Sequence, residues 1–482
     1  MIDAVVIGSG PNGLTAAVML ARAGAQVQVL EAQPTVGGGA RTADLGLAPG
    51  VIHDLCSAVH PLGWASPAFR ALDLAGLGVD LIRPEIAYAH PLPDGSAALA
   101  HHDLAETVAG LGADGPGWRR LFGPLVDRVD ALVATALGDM RHLPSDVHLR
   151  ALPGLAGFAL TTLAGARLGP RAGALLAGVS THANTRVPAP AATATGLLLA
   201  TLGHTGRSWA IPRGGSQAIT DALVAELRRL GGAIHTDSPV TSTRDLPPAR
   251  VYLADVAPAG AASIFADRIA PRVASRLRHF RHGAGVAKVD LVLDGPVPWR
   301  VPEVGRAATV HLGGSRTQIR RAEDEVARGR HASDPVVLVS DPSVLDPDRE
   351  VDGLRPLWTY AHVPSGSDRD LTATVLDRIE REAPGFRDRV VAARCVPASR
   401  MSEHNANYRG GDVLGGAVSL PRVIGGPTMG PNPYRIADSV YLCSSSTPPG
   451  PGVHGLSGAH AAQHALRELG LPESSAAALM EP

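Results

Sequence analysis

The sequence predicts an α/β fold on three observations: a short apolar strand at Ala4-Val5-Val6-Ile7, a glycine-rich turn leading into a helix that ends near Gly24, and a second strand from Val27 to Glu31. An all-apolar run of this length suits a parallel strand covered on both faces, and strand, helix and strand in that order make a βαβ unit. A second unit is readable in the middle of the chain. Ser216 stands as an N-cap, Ile219, Leu223, Leu227 and Leu230 share one helical face, and Gly231 follows the last turn. Strands around Ile234 and over Val251 to Ala254 come next. Near the C-terminus a strand from Val440 to Cys443 leads through Pro448-Pro449-Gly450-Pro451-Gly452 to a helix that starts at about Leu456 and stops at Gly470 before Pro472.

These separated pieces predict one α/β domain assembled from residues 1–65, 205–270 and 405–482. Residues 66–204, rich in Leu, Ala and Gly, and residues 271–404 predict a discontinuous α+β substrate domain whose first part is a helical cap or lid. A chain of 482 residues exceeds one compact core, so a ligand lying between domains is geometrically feasible.

Charge and cysteine usage narrow the class. Lys plus Arg number 44 and Asp plus Glu 45, and no basic run interleaves with aromatic residues, so nucleic acid is not an expected partner. Cys56, Cys395 and Cys443 are scattered without a C-x-x-C pair, which predicts neither a disulfide framework nor a redox dithiol and favours a reducing, cytoplasmic setting. The strand pattern begins almost at the N-terminus, leaving no room for a cleavable signal. The longest apolar stretch, Ala151 to Ala166, is shorter than the ~20 residues of a membrane span and is interrupted by Pro153, Gly154 and Gly157. It is expected as a lid or core segment over an apolar pocket, with peripheral contact to a membrane surface as the alternative.

Gly8-Ser9-Gly10-Pro11-Asn12-Gly13 fits G-x-G-x-x-G, whose glycines permit a tight turn, close approach to a pyrophosphate and helix-on-strand packing. The pattern gains weight because it follows a strand, opens a helix and is answered by Glu31 at the end of the next strand, with Ala32 beside it. This is the Rossmann-type arrangement. A carboxylate there accepts ribose hydroxyls and repels a 2′-phosphate, favouring FAD or NAD over NADP. Gly37-Gly38-Gly39-Ala40-Arg41-Thr42 follows, an extended glycine turn from which the planar Arg41 fork can reach phosphate oxygens.

A G-G-x-x-R-[ST] element after the ribose-binding glutamate resembles the amine oxidase and phytoene desaturase superfamily of FAD enzymes. Ile211-Pro212-Arg213-Gly214-Gly215-Ser216 is similar to that family's P-x-G-G segment, and Val240 to the residue whose backbone meets the adenine. Ser444-Ser445-Ser446-Thr447-Pro448-Pro449-Gly450-Pro451-Gly452-Val453-His454-Gly455 is similar to its final flavin-binding turn, with Ser444 where the family usually has glycine. Trp358-Thr359-Tyr360-Ala361-His362-Val363-Pro364 and Tyr408-Arg409-Gly410-Gly411-Asp412 resemble the phytoene-dehydrogenase-related branch of the pyridine-nucleotide-disulphide-oxidoreductase-domain type, although the dithiol of that name is missing. The resemblance covers essentially the whole chain. It implies non-covalent FAD in a glutathione-reductase-like domain, held by Gly8 to Gly13, Glu31, Ala32, Gly38, Gly39, Arg41, Thr42 and Val240 at the adenosine-diphosphate end and by Gly452, Val453 and His454 at the ring. With one dinucleotide fingerprint in the chain, electrons are expected to leave to oxygen, a quinone, another diffusible acceptor, or the product itself in an isomerisation.

Three side chains are candidates for chemistry. Lys288 is the only lysine; it lies in Val286-Ala287-Lys288-Val289-Asp290-Leu291-Val292-Leu293, where alternation puts it on one face with Asp290. The run resembles the amine oxidase strand whose lysine holds a water beside flavin N5, and a structural Lys288–Asp290 pair at a sheet edge is the other reading. His454 precedes the last helix, whose backbone N–H groups and dipole would stabilise the reduced flavin; its side chain either takes part or packs locally. His60 stands with His53, Asp54, Ser57 and Pro61 in the segment that related enzymes bring under the flavin. Trp358, Tyr360, His362, Asn405 and Tyr408 are candidates for the substrate side. No metal site and no nucleophile elbow stand out. The leading expectation is an FAD-dependent dehydrogenase, desaturase or isomerase moving a hydride from an apolar, carotenoid- or lipid-like small molecule to flavin N5. A peroxide-producing amine oxidase and a non-catalytic flavin-binding protein are the alternatives.

Overall fold

The computed structural model describes residues 2–138, 168–206 and 209–472; the apolar stretch from Ala151 to Ala166 lies outside them. Two sheets dominate. The first has six strands in the order Arg435–Ala437, Val440–Leu442, Ala249–Ala254, Ile2–Ile7, Val27–Leu30 and Ala233–His235, all parallel except the first pair. Ile2–Ile7 is central, with Ala4 in register with both Val251 and Val27, and Ala4, Val5 and Val6 are wholly buried. Helices on both faces explain why its buried part, Ala4 to Ile7, is apolar throughout. Pro11–Arg22 packs Leu14 and Val18 against Leu223 and Leu227 of Gln217–Arg229 and Leu466 of Leu456–Leu469, while Val5, Ile7 and Tyr252 meet Phe265 and Leu277 on the opposite face. The expected α/β class and Rossmann-type βαβ unit are therefore present.

One expectation is corrected here. Ser216 stands at the N-cap position of Gln217–Arg229, but its backbone is already helical and its hydroxyl caps nothing. That hydroxyl donates instead to Ser57 O at 2.7 Å.

The second sheet has seven strands in the order Val390–Val396, Gly285–Leu293, Arg355–Val363, Val337–Ser340, Ala307–Leu312, Ile86–Pro91 and Ala97–His101. Its pairs are antiparallel except Ala307–Leu312 with Ile86–Pro91. Side-chain alternation gives it two unlike faces. Val289, Leu291, Val310, Val337, Val339, Leu357 and Ala361 form an apolar layer covered by Val375 and Ile379 of Thr372–Glu382. The opposite face carries Lys288, Asp290, Trp358, Tyr360, Thr309 and His311, and it looks toward a helical layer that includes Val129–Leu137 and Pro190–Gly203. Gly285–Leu293 lies between two neighbours, so Lys288 is not at a sheet edge. Among the described residues no helix is long and apolar enough to cross a membrane.

Candidate functional site

A continuous cavity of about 810 Å³ runs from the first sheet to the polar face of the second. At one end Gly8, Ser9, Gly10, Pro11 and Asn12 line it together with Glu31, Ala32, Gly38, Gly39, Arg41 and Val240. Gly8 has φ +95° and Gly38 φ +54°, a region that disfavours side chains, and a Cβ on Gly38 would lie 2.9 Å from Gly10 Cα. The two glycine turns thus meet backbone to backbone, leaving the helix N-terminus open to an anion.

Glu31 is buried and its carboxylate is already oriented. Oε2 accepts Ser9 N–H at 2.9 Å and Ser9 Oγ at 2.5 Å, and Oε1 accepts Gln33 N–H at 2.9 Å. Each oxygen retains acceptor capacity for a ribose hydroxyl. Asn12 lines the same space, with a buried Oδ1 that has no partner.

Arg41 borders the cavity, held by Nε to Gly38 O at 3.0 Å and by an η nitrogen to His404 O at 2.8 Å. Two residues expected at the adenosine-diphosphate end do not line the cavity. Thr42 Oγ1 donates to Asp54 Oδ1 at 2.7 Å and accepts Gln217 N–H at 3.1 Å, so it ties the turn to the next helix. Gly13 lies in the first turn of its helix, and its N–H goes to Asp255 Oδ2 at 2.9 Å.

The other end of the cavity brings together Lys288, Trp358, Tyr360, Gly452 and Val453. Lys288 is 2% exposed; its ammonium is paired with Asp290 Oδ1 and sits 5.3 Å from the centre of the Trp358 ring. Burial pushes the Asp290 carboxyl up although Lys288 draws it down. His53 Nδ1 lies 3.7 Å from the same carboxylate, but burial, then the nearby charges of Lys288 and Arg349, holds that imidazole down to about 4. The ion pair is accordingly Lys288 with Asp290.

His60 and His454 are placed differently from Lys288. His60 lines the cavity, and its Nε2 lies 2.8 Å from Ser216 Oγ. Since the Ser216 proton goes to Ser57 O, His60 Nε2 is the donor, and burial lowers the imidazole to about 4. His454 does not line the cavity. Its Nδ1 accepts Leu456 N–H at 3.0 Å, its Nε2 lies 3.2 Å from Gly450 O, and burial lowers it to about 4. The imidazole turns inward to cap the first turn of Leu456–Leu469, leaving the backbone of Gly452 and Val453 to face the cavity. Trp358, Tyr360, Asn405 and Tyr408 line the space, whereas His362 pairs with Glu323 at 2.7 Å behind it.

Three features escaped sequence reasoning. Asp255 lies directly under the first glycine turn, where a Cβ on Gly10 would be 2.7 Å from its Oδ2; burial raises it to about 7 against the pull of Gly13 N–H. Its place straight after the apolar strand, as Glu31 follows Val27–Leu30, was the available signal. Arg349 forms a buried pair with Asp54 at 3.2 Å across 295 positions, for which the sequence offers no signal. His182 reaches the cavity wall from the turn after Pro170–Ser180. The oriented Glu31, the open helix start, the unpartnered Asn12 Oδ1 and the length of the cavity fit FAD. Among the described residues no group of His, Cys, Asp or Glu is arranged to hold a metal ion.

Comparison with known proteins agrees with this fit. The chain is 25% identical over 550 residues to pyridine nucleotide-disulfide oxidoreductase domain-containing protein 2 of Rattus norvegicus, covering 97% of this chain and 94% of that protein. It is 36% identical over 109 residues to a limonene dehydrogenase subunit of Castellaniella defragrans, covering 23% and 19% of the two chains. Cyclohexylamine oxidase from Brevibacterium oxydans shares its fold with a TM-score of 0.58 at 15% identity, over 97% of this chain and 99% of that one. The family described as flavin containing amine oxidoreductase matches residues 12–340, more than half of the sequence. The protein therefore belongs to the flavin-containing amine oxidoreductase family, an FAD-dependent group of oxidoreductases.

Proposed function

We propose that this oxidoreductase dehydrogenates or isomerises a largely apolar small molecule bound between the flavin ring and the helical layer. One observation carries the reading: among the described residues lining the cavity, the only carboxylates are Glu31 and Asp255, both at the dinucleotide end. The substrate side is walled by Leu125, Leu132, Leu197, Leu198, Val418 and Val423. An ammonium substrate would give up its hydration there without a counter-charge, whereas a hydrocarbon gains from the same burial. The partial likeness to a limonene dehydrogenase, whose name specifies a hydrocarbon substrate, points the same way.

Bound FAD supplies the two-electron acceptor for a hydride leaving a substrate carbon. The chain supplies placement and charge. Glu31 would hold the ribose, the helix N-terminus would face the diphosphate, and backbone N–H groups around Gly452 and Val453 would stabilise negative charge on the ring. Lys288, fixed by Asp290, presents a proton on the cavity face and stabilises negative charge developing beside it.

Anaerobic mixing of the yellow holoenzyme with terpene-like hydrocarbons and with amines tests the reading. Loss of oxidised-flavin absorbance with the hydrocarbons is expected. Bleaching by amines alone, with peroxide formed on admitting air, would establish amine oxidation instead.

A further inference from the structure

The far end of the cavity contains a buried polar assembly that the flavin chemistry does not use. Across the second sheet, Lys288 is in register with Tyr360, Tyr360 with Leu338, and Leu338 with His311. His311 thus lies in the same row as Lys288, three strands away, or about 14 Å at the usual inter-strand spacing. It is wholly buried, and its Nε2 lies 2.8 Å from Nε2 of His182. The two rings cross edge to face at 84°, with Trp209 against both of them.

Burial, then the neighbouring His362, lowers His182 to about 3, and burial with His182, His90 and His362 holds His311 well below its ordinary value. Both rings are therefore neutral at pH 7, and one proton is shared between the facing Nε2 atoms. If His182 donated it, His311 would carry its own proton on Nδ1, which is buried with no partner. An orphaned buried donor is rarer and costlier than an under-used acceptor. The favoured arrangement has His311 Nε2–H donating to His182 Nε2, so the His182 proton sits on Nδ1. His182 lines the cavity, and its Nδ1 has no hydrogen-bond partner among the described residues. Thr309, on the strand of His311, also lines the cavity and has a buried Oγ1 without a partner.

We propose that His182 determines specificity at the far end: His311 fixes it as the Nδ1–H tautomer, and that N–H selects apolar molecules bearing a hydrogen-bond acceptor, such as a carbonyl or ether oxygen. The inference rests on the apolar reading of the cavity and adds one polar requirement to it. An ammonium group, which only donates, gains nothing at a fixed N–H.

Titration of the holoenzyme with n-dodecane, dodecan-2-one and dodecan-1-amine, followed by perturbation of the flavin absorbance, tests it. The ketone accepts hydrogen bonds but donates none. It is expected to bind about tenfold more tightly than the hydrocarbon, the amine showing no such gain. His182→Phe should abolish the difference, and His182→Gln, which keeps an N–H donor, should retain most of it. Equal binding of ketone and hydrocarbon by the wild type overturns the proposal while leaving the apolar reading intact. Failure of both to bind, with the amine binding, overturns the two together. Should the Phe variant lose its fold, the imidazole ¹⁵N shifts of wild-type protein decide, since a protonated Nε2 on His182 contradicts the assignment.

Discussion

Lys288 and Asp290 form a buried ion pair on the cavity face of the second sheet, with the ammonium set over the ring of Trp358. Both side chains are almost wholly buried, so the pair is sensitive to loss of either partner. Removing one member of a buried pair typically costs about 3–5 kcal/mol, because the remaining charge is stranded. Lys288→Met should therefore lower stability by about that much at neutral pH. The deficit should shrink in acid, where the Asp290 carboxyl, already raised by burial, takes up a proton. Denaturant melts of the single variant and of Lys288→Met/Asp290→Asn separate structure from chemistry. Recovery of stability in the double variant without recovery of turnover assigns Lys288 a chemical role, whereas recovery of both makes the pair structural.

Asp255 predicts a pH dependence for cofactor binding. Burial raises its carboxyl to about 7, so in the folded apoprotein it is largely protonated below that pH. An acid with a raised folded pKa contributes stability that is fully present below its unfolded value of 3.8 and is lost as pH rises through about 7. A diphosphate beside it opposes ionisation further. FAD affinity should accordingly weaken above pH 7, by at most about tenfold per pH unit. Asp255→Asn should flatten that profile when the dissociation constant is followed by quenching of flavin fluorescence.

Glu31 provides an independent check on the other side of the same turn. Its two oxygens are positioned by Ser9 and Gln33, so Glu31→Gln keeps the shape and removes the charge. Hydrogen bonds to a charged group contribute about 1.5–3 kcal/mol. FAD should bind roughly 10- to 100-fold more weakly, and the apoprotein should also melt lower, because the new NH2 group replaces an acceptor of the Ser9 or Gln33 N–H. An unchanged affinity would remove Glu31 from the ribose site.

The parts of this site that the sequence reveals are those with local causes. The glycine turn, Glu31 and the last helix are written in consecutive residues, and period-two alternation is enough to put Lys288 beside Asp290. Side chains whose roles depend on distant partners were not legible. Ser216 resembled an N-cap because its position in the chain is that of one, yet Ser57 and His60, more than 150 positions away, claim its hydroxyl. His454 stands where a flavin contact is expected, and only the turn around Gly450 reveals that its ring folds inward. His182 and His311 meet across 129 positions, a pairing set by how one helix end lies on one strand.

The Arg349–Asp54 pair is the strongest case of such a distant partnership, and it yields a last prediction. Both side chains are 2% exposed, and Arg349 also donates to Ile52 O at 3.0 Å. Asp54 in turn accepts Thr42 Oγ1 at 2.7 Å and Ser216 N–H at 2.8 Å, so one carboxylate joins the arginine-bearing turn of the cofactor site, the start of the Gln217–Arg229 helix and the Arg349 turn between two strands of the second sheet. Arg349→Leu leaves that carboxylate buried with its hydrogen bonds but without its counter-charge, and should cost about 3–5 kcal/mol. Because Thr42 follows Arg41 directly, the loss should also release the turn that places Arg41, and FAD should dissociate at lower denaturant than is needed to unfold the chain. Parallel measurement of flavin release and far-ultraviolet circular dichroism across a urea series tests this. If the two transitions remain coincident in the variant, as in a single cooperative unit, the coupling from Arg349 to the cofactor turn is absent.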